Sequence, residues 1–142
     1  MTTKKMAIIA TKGALDMAYP PLILASTAAA LGWEVQVFFT FYGLQLLRKD
    51  LSGIAISPIG NPAMPMPVPM PVVVSMLPGM EAMATSMMKA KMKKKGVASL
   101  EELRSLCQEA EVKFIACQMT VDLFEFDKSD FIDGIEYGGA AT

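Results

Sequence analysis

Apolar and polar positions change period several times along this chain, and each change marks an element. Residues 5–11, KMAIIAT, form a short apolar run of the kind that makes a buried strand. TKGALD then reads as a loop. AYPPLILASTAAALG predicts a helix with its prolines in the first turn and Gly32 just past its end. That helix is apolar nearly all round, which predicts burial between layers or between subunits. EVQVFFT, residues 34–40, alternates and is rich in β-branched and aromatic side chains, hence a second strand. Strand, helix and strand at this spacing make a βαβ unit, which requires a parallel pair and a right-handed crossover.

Beyond it, FYGLQLLRK predicts a short helix and SGIAIS a brief strand. In GNPAMPMPVPMP the alternating prolines remove donors and exclude a helix, so the backbone is expected to run extended and polyproline-like. From about Pro78 a further helix reads LPGMEAMATSMMKAKMKKKG, with Met76, Met80, Met83 and Met87 in one stripe. Lysines 89, 91, 93, 94 and 95 crowd its last turn, where cations complement the helix dipole, and Gly96 stops it. Ser99 to Glu102 is a capping box opening the next helix, whose apolar face carries Leu100, Leu103, Cys107 and Ala110. VKFIA, 112–116, reads as a buried strand; a short helix, a turn at DKSD and a last strand around Ile135 to Tyr137 follow. Alternating strands and helices without repeats predict an α/β sandwich with a mostly parallel sheet. It is expected to form one domain over residues 1–142, with a Met/Pro-rich insertion at about 58–95.

Composition narrows the function. A chain of 142 residues buries about two-thirds of its unfolded surface as one domain. A net charge of −1, with few aromatics and none interleaved with basic residues, argues against nucleic acid as a partner. Two cysteines make no disulfide framework and no cleavable leader opens the sequence, so the expected setting is the cytoplasm with both thiols free. The absence of histidine removes Ser-His-Asp triads, Cys-His pairs and histidine-containing zinc sites.

Thirteen methionines, crowded between Met64 and Met92, and 53% hydrophobic content exceed what one core of this size uses. Three uses fit them: packing in a homo-oligomer or partner groove, Cu(I) ligation by the thioethers of MPMPVPM, and peripheral contact with a membrane. A spanning helix is excluded across the uncharged residues 51–80 by seven prolines. The lysine run suits an anionic lipid face, an acidic carrier protein or simply solvent.

Candidate chemistry centres on Cys117, at the carboxyl end of the VKFIA strand, the edge where open parallel sheets bind ligands. QMTVDLF should begin a helix there with Thr120 as a cap. An exposed thiol facing unpaired amides at such a junction is expected to ionise near neutral pH without a histidine. The competing reading makes Cys117 a space-filling core residue. Cys107, on an apolar helix stripe, is either core or a resolving thiol. Thr40, Phe41, Tyr42 and Gly43 leave the second strand at the same edge and are expected to wall a pocket. Lys12 and Gly13 leave the first strand there, and Lys12 either stabilises an anionic sulfur group or is merely solvated. Asp122 and Glu125 cap the helix, steer a substrate or face solvent.

CQMTVDLF after an apolar strand, FFTFYGLQLLRK after the second strand, MMKAKMKKKGVASLEEL and the closing FIDGIEYGGAAT together resemble the DsrE/DsrF-like sulfur-relay family. The likeness is to its Met-rich branch, which carries a peroxiredoxin-like label, and it runs through nearly the whole chain in order. The resemblance implies a DsrE-like small three-layer α/β sandwich that forms homo-oligomers and needs neither cofactor nor metal. It implies a sulfur carrier or sulfurtransferase whose reactive cysteine takes persulfide or thiosulfonate sulfur from a donor, such as a rhodanese-like protein, and hands it to a TusA-like partner. Cys117 matches that cysteine, and Cys107 is the one candidate for the second cysteine some relatives use. Two other classes stay open: a non-catalytic Met-rich adaptor or Cu(I)-binding module, and a thiol peroxidase. The last is less favoured, since peroxidatic cysteines use a nearby arginine and neither Arg48 nor Arg104 is close in sequence.

Overall fold

The structure, a computed structural model, describes residues 3–55 and 77–142. The predicted proline-rich extended stretch, Met76 and the end of SGIAIS lie outside the described residues. Four strands build one sheet: β1 (Lys5–Ala10), β2 (Glu34–Phe39), β3 (Lys113–Cys117) and β4 (Glu136–Gly138). They are all parallel and stand in the order β1-β2-β3-β4. Helix α1 (Leu15–Ala30) crosses from β1 to β2, and a 3-10 helix (Phe41–Leu47) leaves β2. Then come α2 (Met80–Lys94), α3 (Leu100–Glu109), α4 (Gln118–Leu123) and a short 3-10 turn, Lys128–Asp130. This is the α/β sandwich with a parallel central sheet that the sequence predicts.

The core lies between the sheet and the helices α1 and α3. Val35, Val37 and Phe39 of β2 and Phe114 and Ala116 of β3 point into it, and Leu22 and Ala25 of α1 and Leu103 and Cys107 of α3 close it. Phe39 and Phe114 meet edge to face with ring centroids 5.1 Å apart, a contact worth about 0.5–1.5 kcal/mol beyond its area. Because side chains alternate along a strand, Ile115 and Cys117 face away from this cluster although both are buried. That alternation places the Cys117 sulfur on the opposite side of β3 from the main core.

Several ends form as their residues dictate. Ser99 and Glu102 make the reciprocal capping box, Glu102 N–H to Ser99 Oγ at 3.2 Å and Ser99 N–H to Glu102 Oε2 at 3.3 Å. Gly32 and Gly96 adopt φ of 84° and 75° and end α1 and α2. In each case the next residue donates back, Trp33 N–H to Ala28 O at 3.0 Å and Val97 N–H to Met92 O at 2.9 Å.

Other expectations are corrected. Helix α1 begins at Leu15, inside the predicted loop, so Pro20 and Pro21 fall in its second turn and not its first. Its start is held by Leu15 N–H to Ala55 O at 2.7 Å. This tertiary bond and the buried Leu15 and Ala18 outweigh the donors the prolines remove. Strand β1 is an edge strand with a single neighbour and is mostly exposed up to Ala10, where a buried strand was expected. Residues 52–55 of SGIAIS form no strand, with a turn at Ser52 and Gly53. Buried Thr85 and half-buried Met88 and Met92 form the inward face of α2, whereas Met83 and Met87 of the predicted stripe point outward. In α3 the fourth buried position is Arg104, and Ala110 is exposed.

Candidate functional site

Cys117 ends β3 and is at once the residue before the first turn of α4. Its register partner on β4 is Gly138. Strand β2 ends alongside, so Thr40 and Phe41 leave the sheet next to Cys117. Thr40 N–H bonds Ala10 O at 3.1 Å, which ties this exit to the end of β1. Strands β1, β2 and β3 thus deliver their carboxyl ends to one edge of the sheet, as the sequence predicts.

The sulfur there has polar company. Thr120 is fully buried, with its Oγ1 3.2 Å from Thr40 Oγ1 and accepting the Phe41 N–H at 3.2 Å. Phe41 sits at φ 49°, a left-handed conformation that costs a non-glycine residue about 1–2 kcal/mol. The bond to Thr120 helps hold it there. Burial pushes the Cys117 thiol up, but the Thr120 and Thr40 hydroxyls and the backbone N–H groups of Thr120 and Met119 outweigh it, and the net direction is down. These donors face the sulfur without closing a formal capping bond. Hydrogen-bond donors beside a thiol favour its anion.

This differs from the expectation in two ways. Cys117 is 5% exposed, not an open surface thiol. Peptide amides alone do not prime it, since the two threonine hydroxyls come before them in effect. Thr120 was expected only as a helix cap; it is the hub between Thr40, Phe41 and the sulfur.

Cys107 is fully buried in the core, its S–H directed at Leu22 O at 3.4 Å. Burial pushes its pKa up to about 11, with a smaller opposing effect from the Ser26 amide. It takes no part in the Cys117 cluster. Lys12, Gly13 and Tyr42 come together, with Ala14, Met17 and Gln45, around a shallow depression of about 350 Å³ that does not include Cys117. Two close approaches fix that neighbourhood. A Cβ on Gly13 would stand 2.6 Å from Tyr42 O, and one on Gly43 would stand 2.0 Å from Ala10 O.

Sequence reasoning overlooked Arg104, whose half-apolar helix face gave no sign of burial. Its Nη1 donates to Leu46 O at 2.9 Å and Arg48 O at 2.6 Å, clamping the end of the 3-10 helix that carries Phe41 and Tyr42. Arg48 in turn bonds Gln45 Oε1 and lies 3.9 Å from Asp130. Neither arginine is among the groups that act on Cys117. Among the described residues, no three His, Cys, Asp or Glu side chains cluster to hold a metal ion, and no helix is long and apolar enough to cross a membrane.

The chain is a parallel α/β-sheet protein with a cysteine at the carboxyl end of an inner strand. The model of the DsrE/DsrF/DrsH-like family matches residues 2–142, and the chain belongs to that family. It is 70% identical over 146 residues to the sulfur carrier protein DsrE2 of Allochromatium vinosum, covering all of this chain and 91% of that protein. It is also 34% identical over 145 residues to the uncharacterized protein YrkE of Bacillus subtilis, covering 99% of this chain and 89% of that one.

Proposed function

We propose that this protein is a sulfur carrier that relays sulfur through Cys117. The observation that carries the reading is a thiol set at the carboxyl edge of the sheet beside Thr40 and Thr120, with its pKa held down by their hydroxyls and by the Thr120 and Met119 amides. The likeness to a sulfur carrier over the full chain supports it.

The chemistry is thiol–disulfide exchange in form. The Cys117 thiolate attacks the outer sulfur of a donor persulfide; the donor S–S bond breaks, the donor thiolate leaves, and Cys117 becomes a persulfide. With a thiosulfonate donor a sulfinate leaves instead. An acceptor thiolate then attacks the outer sulfur and Cys117 departs as thiolate. The donors that stabilise the thiolate as nucleophile also stabilise it as leaving group. No general base is needed, which suits a chain without histidine. A rhodanese-like donor and a TusA-like acceptor fit the two steps.

Homo-oligomerisation belongs to the same proposal. Met17, Ile23 and Leu24 of α1, and Leu31 after it, leave large apolar side chains exposed on a single chain.

Intact mass after incubation with a low-molecular-weight persulfide tests the relay. The gain of one sulfur atom should appear in the native chain and in Cys107→Ser, and vanish in Cys117→Ser. A gain that survives in Cys117→Ser sinks the proposal.

A further inference from the structure

Around Cys117 the chain keeps apolar side chains in water that its own core does not use. Tyr42, Met119 and Leu123 are 63%, 61% and 60% exposed, and Phe41 and Phe124 are exposed as well. The aromatic members form one surface. Tyr42 stacks on Phe124 with centroids 6.0 Å apart, and Phe41 meets the same ring edge-on at 6.2 Å. This surface is continuous with the sulfur site: Phe41 N–H bonds Thr120 Oγ1, and the Met119 amide faces the sulfur while its side chain stands in solvent. Aromatic residues and methionine are what the centres of protein interfaces are enriched in.

The segment that carries Leu123 and Phe124 is mostly acidic. Residues 122–136 hold six carboxylates and one lysine, in a chain whose net charge is only −1. Asp122, Glu125 and Asp127 alternate in sequence with Leu123, Phe124 and Phe126, and all three carboxylates are exposed. Among the described residues none of these three is in an ion pair. Lys12 shares a depression with Tyr42.

We infer that this aromatic patch with its acidic rim is the docking surface for a partner protein that presents its thiol or persulfide on an apolar edge flanked by lysine or arginine. The inference rests on the sulfur-relay reading of Cys117. A sulfur held at 5% exposure is reached by a partner that seats on the neighbouring side chains. A small donor has no use for an apolar platform of this kind. The carboxylates steer a basic partner toward the site and repel an acidic one.

Model peptides separate these ideas. Two cysteine peptides, each with a leucine beside the cysteine, are activated as mixed disulfides with thionitrobenzoate; one is flanked by lysines and the other by glutamates. In full-length Cys107→Ser protein, the Cys117 thiolate attacks the peptide sulfur, the mixed disulfide breaks, a Cys117–peptide disulfide forms and coloured thionitrobenzoate leaves. The lysine peptide should react roughly tenfold faster at low salt, with the advantage fading as salt rises. Asp122→Lys with Glu125→Lys should reverse the preference. Leu123→Ser should slow both peptides and leave alkylation by iodoacetamide, a small neutral reagent, unchanged. Equal rates for the two peptides, or a preference that survives the charge reversal, overturns the docking surface and leaves the relay standing. Failure of iodoacetamide to label Cys117 overturns both. Should Leu123→Ser turn an oligomer into a monomer by sedimentation, the patch belongs to a second copy and the inference is wrong.

Discussion

Thr120 lies three residues beyond Cys117 and contributes more to the thiol than its place as a helix cap suggested. It is fully buried, shares a hydrogen bond with Thr40 and accepts the Phe41 N–H. Removing only the hydroxyl, in Thr120→Val, should move the pH midpoint of Cys117 alkylation upward and slow the reaction several-fold at neutral pH. Thr120→Ser should keep the midpoint low. An unchanged midpoint in the valine variant would mean that the hydroxyls do not act on the sulfur. The two thiols also tie stability to pH in opposite ways. The lowered folded pKa of Cys117 adds stability that is present above the ordinary thiol range and lost as the pH falls through the folded value. Cys107, pushed up to about 11, withdraws stability as the pH climbs from the ordinary thiol range toward 11. Cys107→Ala should therefore flatten the alkaline limb of a melting-temperature profile, whatever its cost at neutral pH. At this scale the sequence pointed to Cys117 and to the core setting of Cys107. The Thr40–Thr120 contact joins residues eighty apart, and no local pattern reports such a pair.

Among the elements, those with local signals were legible and those set by tertiary contacts were not. The four strands fall within a residue or so of their predicted spans, because short apolar runs between turn residues leave little choice. The Ser99 capping box formed as written, and Ser99→Ala should lower stability by about 1 kcal/mol without altering Cys117 reactivity. The start of α1 was misread because the bond from Leu15 to Ala55 and the burial of Leu15 are invisible to a local rule about proline. The face of α2 was misread for a related reason. A methionine stripe marks hydrophobicity, but packing selected Thr85, Met88 and Met92 and left Met83 and Met87 outside. Gly43 connects element to site: the carbonyl of Ala10 occupies the space a side chain would need. Gly43→Ala should cost about 1–3 kcal/mol in thermal or denaturant unfolding. Because it displaces the exit of β2, it should also slow Cys117 alkylation.

For the molecule as a whole, the parallel sheet gathers the ends of β1, β2 and β3 at one edge, and alternation along β3 turns Cys117 away from the core that holds Cys107. Family and fold were readable from the order of motifs. The degree of burial at the sulfur was not, since it depends on how β2, β3 and α4 close over one another. The exposed face of α1 predicts that the protein sediments as more than one copy and that Leu24→Glu reduces the assembly. A wild-type chain that sediments as a monomer at micromolar concentration contradicts that expectation. The relay itself depends on one thiol being nucleophilic inside the native fold while the other stays inert. Brief treatment of the native protein with iodoacetamide at neutral pH, followed by peptide mapping, reads this directly. Label on Cys117 with Cys107 untouched until denaturant is added is the predicted result; an unlabelled Cys117, or Cys107 modified first, contradicts the account.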